Sequence, residues 1–213
     1  MRNFNSSEPA MKNAPMVFVV DDDEVVCRAV ASLLRSAGYN VKEFSDPNEM
    51  LAHPSARVAG CLVLDVRLQG YSGFDLQHRL SESGNNPPII FITGHGDIPM
   101  SVRAMKAGAA NFLTKPFRSQ DLIDAVQEAI AVHESYLEKQ RAVDSLRKRF
   151  ECLTPRERQV MGGVVKGSLN KQIASDLDVS EITVKLHRAN MMRKMHASTI
   201  ADLVRAGYHL ELS

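Results

Sequence analysis

Between Met16 and about Ala131 the chain repeats one local pattern: a short run rich in β-branched and aromatic residues, then a stretch with apolar residues at helical spacing. The runs are Met16 to Val20, Tyr39 to Phe44, Cys61 to Leu64, Ile89 to Ile92 and Asn111 to Leu113. The helical spacing is clearest after the first, where Val26, Val30, Leu33 and Ala37 stand at i, i+4, i+7 and i+11 and Gly38 ends the helix. Further helical stretches read near 47 to 53, 73 to 81, 97 to 107 and from 119 onward. Parallel strands need crossover connections, so five such units predict an α/β domain built on a doubly wound, five-stranded parallel sheet. Cys61 to Leu64 and Ile89 to Ile92 are apolar on both faces, as central strands covered by helices on each side must be. Ligand chemistry in such a sheet gathers at the C-terminal ends of its strands.

From Glu151 onward only helices are expected. Thr154-Pro155-Arg156-Glu157 is a capping box with Pro at the first helical position, and Gly167 stops that helix. Asn170 is expected to cap a second helix, Lys171 to Leu177, and Asp178-Val179-Ser180 to turn the chain. Ser180 caps a third helix running to about His196, and Ser198 a fourth with Ile200, Leu203 and Val204 as its apolar stripe. The expected organisation is a disordered leader (1–15), an α/β domain (16–132), a charged helical linker (133–150) and a small all-α domain (151–213).

Composition narrows the class: 44% hydrophobic with 24% charged residues is the balance of a soluble globular protein. The three cysteines are odd in number and widely spaced, which points to neither a disulfide framework nor a metal cluster. No apolar run approaches the roughly 20 residues of a membrane span, and Met1 to Pro15 lacks the apolar core of a secretion signal. A cytoplasmic protein without a membrane partner is expected.

Polar residues follow four of the strands: Asp21-Asp22-Asp23, Asp65, Thr93 and Lys115. Converging carboxylates and a lysine at one sheet edge describe a metal and phosphate site. Hard Mg²⁺ takes one or two carboxylates and completes its shell with waters and substrate oxygens. Asp22 and Asp65 suit that role, with Asp21 acting directly or through a water. A carboxylate can then attack phosphorus, provided that cations hold the transferring oxygens in line. Mg²⁺ and Lys115 would supply the cations, and the Thr93 hydroxyl a hydrogen bond.

Val20-Asp21-Asp22-Asp23, Leu64-Asp65-Val66-Arg67, Ile92-Thr93-Gly94-His95-Gly96-Asp97 and Thr114-Lys115-Pro116-Phe117 resemble, in order and spacing, the four signatures of the receiver domain of two-component response regulators. The run Thr93 to Met105 is similar to FixJ-type regulators. The resemblance implies a flavodoxin-like strand order and makes Asp65 the phosphoacceptor. It also implies Mg²⁺ bound by Asp21, Asp22, Asp65 and the Arg67 backbone carbonyl, Lys115 on the phosphoryl group, and Thr93 and Phe112 as the switch pair. Gln69 departs from the family, which usually has proline there. Asp21-Asp22-Asp23-Glu24-Val25 also fits the nucleophile motif of haloacid-dehalogenase-like phosphatases, in which Asp21 would be attacked. Nothing after Lys115 resembles the paired late carboxylates of those enzymes, and Asp65 would have no role.

The third C-terminal helix has two faces. Val184, Met191 and Met195 recur at i, i+7 and i+11 and should pack inward, whereas Lys185, Leu186, Ala189 and Arg193 lie opposite. Small, basic and short apolar side chains on an open helix face fit the major groove of DNA. Ser180, Thr183 and, on the preceding helix, Lys171 can meet backbone phosphates. Within Glu181 to His196, Lys185, Arg188, Arg193 and Lys194 stand against Glu181 alone. The segment resembles the helix-turn-helix of LuxR-type regulators, as in the FixJ/NarL type, across Leu153 to Leu210. Its marks are Leu153-Thr154-Pro155-Arg156-Glu157, Asn170-Lys171-Gln172-Ile173-Ala174 and Thr183-Val184-Lys185-Leu186-His187-Arg188.

The two resemblances together imply a phosphorylation-activated transcription regulator and not an enzyme. Its partners would be a sensor histidine kinase and double-stranded DNA, with RNA polymerase a further candidate, and the FixJ likeness tilts toward activation. Homodimerisation on phosphorylation is expected, with Arg103, Lys106, Arg118 and Asp121 as a charge set able to pair across a two-fold axis. The alternatives are the phosphatase and a receiver whose helical module no longer binds DNA.

Overall fold

The computed structural model describes residues 15–55, 60–82, 86–210 and 212. The expected disordered leader, apart from Pro15, lies outside them. Two compact units divide between Ser135 and Tyr136.

The first unit contains β1 (Met16–Val20), α1 (Glu24–Ser36), β2 (Asn40–Phe44), α2 (Pro47–Ala52), β3 (Cys61–Asp65), β4 (Arg67–Leu68), β5 (Tyr71–Ser72), α3 (Gly73–Glu82), β6 (Ile89–Thr93), α4 (Ile98–Lys106) and β7 (Asn111–Thr114). α5 (Ser119–Glu151) begins here and runs unbroken into the second unit, so the charged stretch 133–150 is helical throughout. β2, β1, β3, β6 and β7 form, in that order, a five-stranded parallel sheet.

Side-chain alternation sorts the core into two layers. Val17, Val19, Cys61, Val63, Ile90 and Ile92 point to the face covered by α1 and α5, where Val30, Leu34, Leu122 and Val126 meet them. Phe18, Val20, Leu62, Leu64, Ile89 and Phe91 point to the other, where Met50, Leu76, Leu80 and Ala104 of α2, α3 and α4 pack. The apolar-on-both-faces reading of the central strands is thereby explained. Cys27 and Cys61 are free thiols inside this core and Cys152 is exposed; burial pushes the Cys61 thiol up to about 12.

β2 starts one residue later than its apolar run suggests, because Tyr39 N–H donates to Leu34 O and Gly38 N–H to Arg35 O. These bonds close the end of α1 with Gly38 at φ +92°. Tyr39 thus belongs to the helix cap.

The second unit adds α6 (Pro155–Val165), α7 (Asn170–Leu177), α8 (Glu181–Met195) and α9 (Ile200–His209) around Leu153, Val160, Met161, Ile173, Val184, Met191, Met195 and Leu203. The Thr154–Glu157 capping box and the Ser180 cap form as expected. Two caps differ. Leu169 precedes α7, its N–H held by Gln172 Oε1 at 2.7 Å, which makes Asn170 the first helical residue. Thr199 rather than Ser198 caps α9, because Asp202 stands three residues after it and closes a reciprocal box. The α9 stripe also turns: Leu203, Ala206 and Gly207 are buried, while Ile200 and Val204 are exposed. Among the described residues no helix is long and apolar enough to cross a membrane.

Candidate functional site

Asp21 follows β1 and Asp65 ends β3, and parallel pairing of these strands brings the two carboxylates to one edge of the sheet. On the other side of β3, Thr93 ends β6 and pairs with Thr114 of β7, so that Lys115 follows at the same edge. Lys115 is fixed at both ends. Its N–H donates to Thr93 O at 2.7 Å, and its Nζ donates to Asp21 Oδ2 at 2.6 Å and to Asp65 Oδ1 at 2.9 Å. Each carboxylate spends its second oxygen on a backbone donor, Asp23 N–H to Asp21 Oδ1 at 3.0 Å and Arg67 N–H to Asp65 Oδ2 at 2.7 Å.

Asp21 is 1% and Asp65 6% exposed. Burial pushes the Asp21 carboxyl up, more strongly than the Lys115 ammonium pulls it down. Burial alone would lower Lys115, but the two carboxylates bonded to it outweigh that and hold its proton beyond the ordinary lysine range.

Asp22 is half-buried, and Asp23 caps α1 by accepting from Val25 and Val26 N–H. The loop after Asp65 closes as a small antiparallel hairpin, Arg67 against Ser72, around Gln69 and Gly70 at φ +73°. Backbone pairing therefore braces a loop in which Gln69 replaces the family's proline. Gly73 seats against that loop: a Cβ there would lie 2.6 Å from Asp65 O. Among the described residues no three His, Cys, Asp or Glu side chains group closely enough to hold an ion by themselves. Two buried carboxylates that converge on the Lys115 ammonium are oxygen donors of the kind a hard ion takes, with water to finish its shell.

Thr93 is buried, and its Oγ1 accepts from His95 N–H at 3.3 Å. Phe112 is half-buried against the α2–α4 side of the core. Gly96 runs directly over both: a Cβ at that position would lie 3.0 Å from Phe112 Cε1 and 3.2 Å from Thr93 Cγ2. Reading the sequence alone gives Gly96 no such place, because its contacts come from β6 and β7.

On α8, Lys185, Leu186, Ala189 and Arg193 are exposed, as is Lys171 in the first turn of α7. Thr183 is half-buried and its hydroxyl lies 2.9 Å from Ser180 Oγ within the helix cap. Two of the expected cations are engaged inside the unit. Arg188 donates to Asn170 Oδ1 at 2.8 Å, tying α8 to α7, and Lys194 pairs with buried Glu157 at 2.7 Å. The outward face instead carries Ile182, an exposed aliphatic side chain that no sequence motif marks.

The fold and its two sites define a receiver-type α/β domain joined to a helix-turn-helix module. Residues 17–127 match the family model of the response regulator receiver domain, and residues 151–206 that of the bacterial regulatory proteins of the luxR family. Nodulation protein W of Bradyrhizobium diazoefficiens is 50% identical over 93% of this chain and 87% of its own length. The response regulator protein TmoT of Ectopseudomonas mendocina is 47% identical over 92% and 89%. Among solved structures, a low-resolution structure of the response regulator StyR aligns with TM-score 0.84 at 45% identity, covering 92% of this chain and 99% of that one. Full-length FixJ from B. japonicum aligns with TM-score 0.56 at 37% identity, over 93% and 98%. The chain belongs to the response regulators with a LuxR-type output domain, DNA-binding transcription regulators and not enzymes. The phosphatase alternative falls with that assignment.

Proposed function

We propose that a sensor histidine kinase phosphorylates Asp65 and that the phosphorylated form binds operator DNA through α8. The observation that carries this reading is the convergence of Asp21, Asp65 and Lys115 at one sheet edge, with Thr93 on the strand between. A carboxylate oxygen of Asp65 attacks the phosphorus as the P–N bond to the kinase histidine breaks, and the imidazole leaves with that electron pair. Lys115 takes over a phosphoryl oxygen as its bond to Asp65 is given up. Asp21, Asp22, Asp65 and the Arg67 carbonyl would hold Mg²⁺, which would supply positive charge to offset that of the phosphoryl oxygens. Thr93 leaves the His95 amide for a phosphoryl oxygen, and Phe112 moves into the space that Thr93 vacates.

The receiver, linker and DNA-binding module span 16–132, 133–150 and 151–213, and the protein acts in the cytoplasm. A single short recognition helix buries too little surface for tight operator binding, so the active species is a homodimer on paired half-sites. Exposed Ile98, Val102 and Met105, at i, i+4 and i+7 on α4, support a receiver contact better than the expected charge set does. Arg118 and Asp121 already pair with each other at 2.6 Å, and Arg103 stacks over Phe74 at 4.6 Å. The activated dimer recruits RNA polymerase.

Radiolabelled acetyl phosphate with Mg²⁺ should label the wild type and leave Asp65→Asn unlabelled. Label that persists in Asp65→Asn overturns the assignment. On DNA, Lys185→Ala should weaken specific sites most, whereas Lys171→Ala should weaken all sequences alike and lower the salt slope by about one. Binding unchanged in both variants would take α8 out of the groove.

A further inference from the structure

α8 is apolar on two opposite sides. At about 100° per residue, Val184, Met191 and Met195 fall on one side and are buried in the second unit's core. Ile182, Leu186, Ala189 and Arg193 fall within about 60° of one another on the other. Ile182 is 79% and Leu186 61% exposed, one turn apart, with Lys185 beside them and Arg193 in line about two turns beyond Leu186. Two large aliphatic side chains that support no core call for an occupant. A protein partner would want aromatic anchors and a broad apolar field, whereas this stripe is one residue wide, with one cation beside it and another at its end. The major groove offers a positive-seeking wall of phosphates and, on its floor, one apolar group, the C5 methyl of thymine.

We infer that Ile182 and Leu186 read a pair of thymine methyls in each operator half-site, an inference that rests on the DNA-binding reading of α8. Four residues of helix rise about 6 Å, and base pairs are stacked about 3.4 Å apart. The two thymines therefore lie within two base steps of each other. Lys185, beside the stripe, and Arg193, at its C-terminal end, meet guanine acceptors or phosphates next to them. Ile182 is in this account a specificity-determining residue, and Arg188, on the inward side, is not.

The test uses the full-length protein phosphorylated with acetyl phosphate and Mg²⁺, and duplexes selected by it from a random-sequence pool. Each thymidine of the selected site is then replaced singly by deoxyuridine, which keeps every hydrogen-bonding atom and removes only the methyl. Two positions per half-site, within two steps, should each lose about four-fold in affinity, the value of one buried methyl-sized group. Ile182→Ala should abolish the loss at one position and Leu186→Ala at the other, with salt slopes unchanged; both sites are exposed, so thermal unfolding should stay at the wild-type value. Deoxyuridine without effect anywhere overturns the inference, as do effects that persist undiminished in both variants. A change in sedimentation of DNA-free Ile182→Ala or Leu186→Ala also overturns it and makes the stripe a protein interface. Failure of the wild type to select any sequence would instead sink the operator-binding reading, and this inference with it.

Discussion

Replacing Lys115 with methionine removes one ammonium and keeps most of the side chain's volume. The ammonium lies 2.6 Å from Asp21 Oδ2 and 2.9 Å from Asp65 Oδ1, on side chains only 2% and 8% exposed. Without it, two like charges face each other away from water, and breaking a buried ion pair in this way costs about 3–5 kcal/mol. The variant has one escape, protonation of a carboxylate. Asp21, which burial already pushes up, is the group to take the proton. A carboxyl raised in the folded state binds more protons there than in the unfolded chain, so the variant's stability falls as pH rises. In the wild type the raised lysine works differently. Its contribution is full below the ordinary value of 10.5 and is lost only as pH climbs through the higher folded value. Hydrogen exchange followed by mass spectrometry on the β3 segment reads the first unit without interference from the second. In EDTA, Lys115→Met should lose protection corresponding to about 3–5 kcal/mol at pH 8 and less at pH 6. Added Mg²⁺ should restore more in the variant than in the wild type, about 2.7 kcal/mol at a hundred times its Kd, since no ammonium competes for the carboxylate oxygens. Protection equal to the wild type at both pH values would refute the bridging role of Lys115.

Glu157→Gln keeps an acceptor for the Thr154 amide but discharges the pair with Lys194, and should destabilise the second unit by about 1–3 kcal/mol in urea unfolding. Although burial raises Glu157, its bonds to Lys194 and Thr154 outweigh that and hold its carboxyl below the ordinary value of 4.5. The contribution is thus complete above pH 4.5, and variant and wild type should converge as pH falls through the lower folded value; a constant gap down to pH 2 would contradict this. His196 ends α8 in the left-handed region at φ 54°, a conformation costing a residue with a side chain about 1–2 kcal/mol. Since glycine forfeits part of that gain in unfolded-state entropy, His196→Gly should stabilise by about 0.5–1 kcal/mol, read as a higher Tm in calorimetry. A lower Tm would mean that the histidine ring makes a contact worth more than the strain.

Chain-local signals were the legible ones. The sheet could be read because Cys61–Leu64 and Ile89–Ile92 are apolar on both faces, and the pocket because Asp21, Asp65, Thr93 and Lys115 each follow a strand. Partner choice across the fold was not legible. Arg188 and Lys194 look like an outward basic surface in sequence, yet their partners, Asn170 and Glu157, are 18 and 37 residues away. The charges of Arg118 and Asp121 suggest a contact between subunits, but two residues three apart at the start of a helix can pair with each other, and these do. At α9, Ser198 and Thr199 are equally good caps by type, and only the reach of Asp202 decides between them. No sequence signal marks Ile182, because exposure, unlike hydropathy, belongs to the packed helix and not to the residue.

The two-sided build of α8 separates two kinds of inheritance. Substitutions at Val184, Met191 or Met195 are tested by folding, since each is buried in the core of the second unit. Substitutions at Ile182, Lys185, Leu186 or Ala189 touch no core and cost the fold little. Under the proposed reading of α8, a duplicated copy of such a regulator would drift toward new operators one outward residue at a time, with no intermediate that fails to fold, while its inward residues keep the scaffold unchanged.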